Sequence, residues 1–177
     1  MVGGLIALGL AAVVALTANV PSASARGGCP HAGDQPDEAT NAQFRNAVVC
    51  LIQRARSSRG LSKLDNNGKL NRVARRHTKK MVAQDCFDHQ CAGEPGTKRR
   101  LRKVGYLKGK SWRYGEGIGY QQTPRKMMNG FLDSSYHRKL LFDNRFEDIG
   151  AAAKRGAPVE GVDDDAVVTY TFELGTP

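Results

Sequence analysis

Histidine is scarce in this sequence, four in 177 residues, so its placement is informative. An imidazole exchanges a proton near neutral pH or ligates a metal through an unprotonated nitrogen. His89 stands inside Cys86-Phe87-Asp88-His89-Gln90-Cys91, bracketed by two cysteines. His137 follows Asp133-Ser134-Ser135-Tyr136, a polar cluster ahead of the apolar Leu140-Leu141-Phe142, and reads as lying just past a helix end. Glu116 is a carboxylate in Tyr114-Gly115-Glu116-Gly117-Ile118, an odd place for an acid unless that face is wet or functional. His31 falls in an irregular arm and His77 on an apolar helical stripe, where a satisfied core histidine is the better reading. Ser134 and Ser135 are too close to His137 in sequence to define a triad, and no nucleophile elbow is present.

The cysteines must be read with their compartment. Residues Val2 to Val20 are almost wholly apolar, and Ala23-Ser24-Ala25 is a small-residue cleavage pattern, so residues 1–25 read as a secretory signal peptide. The alternative is an uncleaved anchor, since the run is just long enough to span a bilayer. Both put the following domain outside the membrane, where an even number of cysteines favours disulfides. Of three connectivities, Cys29–Cys50 with Cys86–Cys91 is the economical one. A metal site of Cys86, His89 and Cys91 competes with it, but no second Cys/His pair stands at zinc-ribbon spacing.

The elements that position these residues follow from periodicity and caps. Residues 26–39, rich in Gly, Pro and Asp, form an irregular arm, and residues 40–177 form one domain. Thr40 and Gln43 make a capping box before a helix from Asn41 to Ser58 with an apolar face of Phe44, Ala47, Val48, Leu51 and Ala55. Past the turn-rich Asp65-Asn66-Asn67-Gly68, the stripe Leu70, Val73, Ala74, His77 and Met81 marks a second helix. Its other side carries Arg72, Arg75, Arg76, Lys79 and Lys80. A short third helix, capped by Thr97 and ended by Gly105, adds Arg99 and Arg100 to the same basic surface. Alternation predicts a strand from Trp112 to Gln121 with its glycines on one side, admitting close packing. Thr123-Pro124 opens a fourth helix with Met127, Met128, Phe131 and Leu132 on its buried stripe. Strands at Phe146–Ala153 and Ala166–Leu174 complete an α+β arrangement of helices over a small antiparallel sheet.

The order Cys86-Phe87-Asp88-His89, Arg102-Lys103-Val104-Gly105-Tyr106, Tyr114-Gly115-Glu116-Gly117-Ile118, Ser134-Ser135-Tyr136-His137-Arg138 and Phe146-Glu147-Asp148-Ile149-Gly150 resembles the bacterial secreted members of the CAP superfamily. That group comprises the cysteine-rich secretory, antigen-five and pathogenesis-related-one proteins. The resemblance implies an α-β-α sandwich with a cleft in which histidines and acids converge, and His89, Glu116 and His137 match that constellation. The family's fourth member, a glutamate in many relatives, falls at or near Ser134, with Asp133 the nearest acid. Gly117 stands where the family pattern has asparagine.

Two imidazoles and a carboxylate could ligate Zn²⁺ or another divalent metal, or Glu116 could instead hold an imidazole in its tautomer. The expected function is that of an exported binding module acting at the cell envelope or outside it. The alternatives are a metal-assisted hydrolase with His89 and His137 on the metal and Glu116 as base, and a structural domain without cleft chemistry. The formal charge of +10 belongs to the part after residue 25, and thirteen Lys/Arg against three acids lie between Arg72 and Arg113. That surface suits an anionic cell-wall polymer or lipid head groups. No nucleic-acid motif or row of stacking aromatics accompanies it, and a monomer is expected.

Overall fold

The computed structural model describes residues 28–177, and the reading of residues 1–25 as a signal peptide or anchor lies outside them. Five helices and four strands follow in the order α1 (Asn41–Ser57), β1 (Asp65–Asn66), α2 (Gly68–Ala83), α3 (Thr97–Lys103), β2 (Arg113–Gln121), α4 (Pro124–Asp133), α5 (Ser135–Leu141), β3 (Asp148–Arg155) and β4 (Val168–Thr176). The sheet order is β1-β3-β4-β2, with β4 central and antiparallel to both long neighbours. β1, read from sequence as turn, pairs parallel with the start of β3, so the sheet is mixed rather than purely antiparallel. Its two residues are too few to show a strand period.

Side-chain alternation on β4 divides the molecule into layers. Val168, Tyr170, Phe172 and Leu174 join Phe44, Val48 and Ile52 of α1 and Met127 and Phe131 of α4 in the main core. Thr169, Thr171 and Glu173 take the opposite face, where Thr78 of α2 bonds Thr171 through their hydroxyls at 2.7 Å. Leu70 and Val73 of α2 form a second cluster with Leu101, Tyr106 and Leu107. The result is an α-β-α sandwich, with α1, α4 and α5 on one side and α2 with α3 on the other.

Local chemistry sets the helix ends that matter for the site. The Thr40–Gln43 capping box starts α1, and Thr123 caps α4 with Pro124 in its first turn. Ser134 caps α5, accepting from the His137 N–H at 3.4 Å, so His137 lies within a helix rather than after one. The buried Arg56 side chain reaches from α1 to the carbonyls of Leu141 (2.7 Å) and Asp143 (3.1 Å), satisfying acceptors that α5 leaves open at its C-terminus. Cys29–Cys50 ties the irregular segment before α1 to that helix, and Cys86–Cys91 closes the loop carrying His89.

Two glycines admit neighbours more closely than a side chain would permit, one across strands and one between layers. A Cβ at Gly117 would enter the Phe172 ring on β4, and one at Gly150 would strike the α2 backbone at Leu70 and Asn71. The second obstacle is main chain and cannot rotate away. Gly150→Ala is therefore expected to lower unfolding free energy by about 1–3 kcal/mol, read from urea denaturation. An unchanged midpoint would mean that α2 is not seated on β3 at this point.

Candidate functional site

The site is built outward from Glu116. Strand β2 places this residue directly opposite Glu173 of β4, with both carboxyls on the α2 side of the sheet. Glu116 is 4% exposed and Glu173 is fully buried. The Glu116 Oε2 pairs with Arg100 Nη2 at 2.5 Å. Its Oε1 accepts from the Thr97 hydroxyl at 3.0 Å and from His89 Nδ1 at 2.7 Å. Arg100 Nη2 also donates to Thr97 Oγ1 (2.8 Å) and the His89 carbonyl (3.2 Å). Its Nη1 lies 3.0 Å from Glu94 Oε1, an ion pair by distance without hydrogen-bond alignment. Glu94 in turn accepts from Nδ1 of the buried His77 at 2.8 Å.

The protonation pattern follows from burial and proximity. Burial alone would raise the pKa of Glu116, but hydrogen bonds with His89 and Glu173 and the charge of Arg100 hold it well below the usual carboxylate range. Glu173 shifts the other way. Full burial and the negative charge of Glu116 push it well above its ordinary value, so it stays protonated and donates to Glu116. No donor reaches either of its oxygens, as befits a neutral carboxylic acid. His77 is pushed down chiefly by burial and is neutral. With Glu94 as acceptor its proton sits on Nδ1, and Nε2 faces Glu116 at 4.0 Å without a hydrogen bond.

The imidazoles of His89 and His137 are shifted in opposite directions. His89, with a side chain 48% exposed, is raised by its hydrogen bond to Glu116, against the opposing effect of burial. His137 is lowered by burial and by the charge of nearby His89. Its ring sits 4.9 Å from that of Phe131 and 5.5 Å from that of Tyr136, and its buried Nδ1 has no partner. Glu116 thus biases His89 toward its cationic form, while burial biases His137 toward its neutral one.

His89 and Glu116 meet directly, and His137, packed on Phe131 and Phe172, lies near enough to His89 to feel its charge, whereas Asp133 and Ser134 do not extend the acidic set. Asp133 is exposed at the end of α4, with its backbone carbonyl taken by Arg138, and the Ser134 hydroxyl is occupied as the α5 cap. Arg72, Arg75, Arg76, Lys79 and Arg99 are exposed and Lys80 partly so, but Arg100 is only 6% exposed and belongs to the buried network, not to the basic surface. Thr97 is not the α3 cap. Gly96 holds that position, and the Thr97 hydroxyl serves Glu116. Thr97, Arg100, Leu101 and Val104 recur at helical spacing on one face, which is the signal that could have placed Arg100 inward. For Glu173 the signal is its phase on β4, shared with Thr169 and Thr171 rather than with the aromatic face.

A zinc ion would need three protein ligands with an open position. Both Glu116 oxygens are committed to Arg100, Thr97 and His89, which leaves two imidazoles. Among the described residues no group of three or more His, Cys, Asp or Glu side chains could hold a metal ion. The residues present do not fit a catalytic zinc centre.

The buried carboxylic acid has a thermodynamic signature. An unfolded Glu173 ionises near the ordinary value of about 4.3, while the folded residue keeps its proton well above that. The folded state then binds the extra proton, so this group lowers stability as pH rises through that window, by at most about 1.4 kcal/mol per pH unit. Glu173→Gln keeps a neutral donor and is expected to flatten that slope in urea titrations between pH 5 and 8, at about those values. A slope equal to that of the unaltered protein would show that Glu173 ionises in the fold.

The model of the cysteine-rich secretory protein family, CAP, matches residues 49–171. No curated protein sequence matches the chain. Among solved structures, an extracellular protein containing an SCP domain from Bacillus anthracis matches at 23% identity and a TM-score of 0.62, over 76% of this chain and 40% of that one. An outer surface protein of Borrelia burgdorferi matches at 17% identity and a TM-score of 0.61, over 73% of this chain and 89% of that one. A cysteine-rich secretory protein of Staphylococcus aureus matches at 15% identity and a TM-score of 0.56, over 76% and 39%. This chain thus spans about two fifths of the Bacillus and Staphylococcus proteins, and at these identities the likeness is one of fold. With the α-β-α sandwich and both disulfides formed, the family match over residues 49–171 leads to one conclusion: the chain belongs to the CAP family.

Proposed function

We propose that this CAP domain is an exported binding module whose cleft takes a small ligand bearing a carboxylate or phosphate oxygen. The observation that carries the reading is the full engagement of Glu116. A carboxylate already bonded to Arg100, Thr97 and His89 is a poor general base, but it holds His89 as a fixed cation. A cationic imidazole with the neutral His137 nearby favours an anionic acceptor over a metal cation. Phe87 and Tyr136, the large apolar side chains exposed among the described residues, adjoin the two histidines in sequence and offer apolar contact to the rest of the ligand. The extracellular and outer-surface descriptions of the structural neighbours support action at or beyond the cell envelope.

Inorganic phosphate and zinc are the probes, with the histidine ring signals followed by NMR. Phosphate is expected to shift the His89 and His137 signals saturably, and His89→Ala to abolish the response. Glu116→Gln is expected to return the His89 pKa toward its ordinary value of about 6.5 and weaken binding, because the charge holding the imidazolium is gone. Absence of any saturable phosphate shift overturns the anion reading. Zinc binding lost together in His89→Ala and His137→Ala would replace it with a metal site.

In the same reading, the exposed Arg72, Arg76, Lys79 and Arg99 contact anionic envelope polymer or lipid head groups. Binding to phosphatidylglycerol vesicles should then fall steeply once salt shortens the screening length below about 10 Å. Retention insensitive to salt would exclude this electrostatic contact.

A further inference from the structure

Strand β3 has one paired side and one largely free side. Its even-numbered residues exchange hydrogen bonds with β4, which turns the N–H and C=O groups of the odd-numbered residues outward. β1 uses the outward Ile149 carbonyl, through the Asn67 N–H at 2.8 Å, and then the chain leaves the edge as α2. Beyond that point two side-chain amides stand in for a neighbouring strand. Asn71 Oδ1 accepts from the Ala151 N–H at 3.0 Å, and Asn41 Oδ1 from the Arg155 N–H at 2.9 Å. Between them, the Ala151 carbonyl and both backbone groups of Ala153 have no partner among the described residues.

This edge floors a groove of about 270 Å³ between α1 and α2. The floor is three consecutive alanines, so no large side chain blocks approach to the backbone. Arg45 and Arg75 stand on opposite walls, and no acidic residue lines the groove. Arg45 has donors to spare: Nη2 makes one long bond to Asn66 Oδ1 at 3.4 Å, and the buried Nε–H has no partner. Two such edges from two copies would bring these cations together, which opposes self-pairing.

We propose that the free edge of β3 is a docking groove for an extended acidic peptide segment, which adds to the sheet as a further strand. The incoming backbone donates to the Ala151 and Ala153 carbonyls and accepts from the Ala153 N–H. Acidic side chains at successive positions point to opposite faces, so one meets Arg45 on the α1 wall and the next meets Arg75 on the α2 wall. The site is separate from the His89 cleft and independent of its ligand.

The test uses the full chain, isotope-labelled, titrated with a blocked peptide carrying adjacent glutamates flanked by valines, so that a strand presents one carboxylate to each wall. The expected result is a saturable shift of the Ala151 and Ala153 amides, with slowed hydrogen exchange at Ala153. Arg45→Gln and Arg75→Gln, each on the groove wall, are expected to weaken binding about tenfold. A matching lysine–valine peptide should not bind. Three outcomes overturn the proposal: no saturable shift, equal binding of a glutamate–proline peptide that cannot pair as a strand, or shifts confined to α3 and the outer face of α2. Concentration-dependent dimerisation protecting Ala153 without peptide would overturn it in favour of a second copy as the occupant.

Discussion

The Arg100–Glu116 pair is the contact around which the interior on the α2 side is arranged. A buried guanidinium and a buried carboxylate each cost several kcal/mol to desolvate, and they are tolerable only with good geometry and their remaining valences filled. Here Glu116 is filled on both oxygens, while Arg100 Nε and Nη1 lack aligned hydrogen-bond partners. Thr97 bridges the two, Glu94 supplies a second negative charge to Arg100, and His89 supplies a second positive charge to Glu116. That leaves no counter-charge for Glu173, which lies across the strand pair from Glu116. Two ionised carboxylates at adjacent buried positions would repel each other, so Glu173 keeps its proton and becomes a donor. One protonation state of the cluster thus enforces another, and the pull on the His89 proton is set from within the core.

This arrangement binds the site to the fold. Glu116 comes from β2, Arg100 and Thr97 from α3, His77 from α2, Glu173 from β4 and His89 from the disulfide-closed loop. α3 is seven residues long and has no side-chain cap, so it draws its stability from packing and from Arg100 rather than from propensity. The loss of Arg100 would uncover a buried carboxylate and loosen the helix together. His137 is held differently: α5 is pinned at its start by the Ser134 cap and at its end by Arg56, and the imidazole rests on Phe131. One histidine is oriented by a charge, the other by apolar contact, which is why burial and hydrogen bonding drive their pKa values apart.

Much of the scaffold was legible along the chain. The capping box at Thr40, the Thr123-Pro124 start of α4 and the apolar stripe of α2 are local signals, and local backbone chemistry made them good guides. The cysteine pairing followed from loop economy and holds in the fold. The errors have a common physical origin. Thr97 looked like a cap because threonine before a helix usually is one, yet a buried carboxylate two elements away offered its hydroxyl a stronger partner. Arg100 looked like one more cation in a basic run, but composition does not say which face of a seven-residue helix turns inward. β1 was too short for any period to register, and α5 was hidden because its cap follows α4 without a loop.

The sequence by itself determined helices α1 to α4 and strands β2 to β4, made Cys29–Cys50 with Cys86–Cys91 the economical pairing, and singled out His89, Glu116 and His137. It did so because caps, periodicity and loop closure act over a few residues. Tertiary structure alone decided the charge states. Glu173 lies 57 positions after Glu116 and becomes its neutral partner only through strand register, and Arg100 is a buried ion rather than a surface one only because α3 is turned against β2. Desolvation and Coulomb energies depend on distance in space, which no spacing along the chain records.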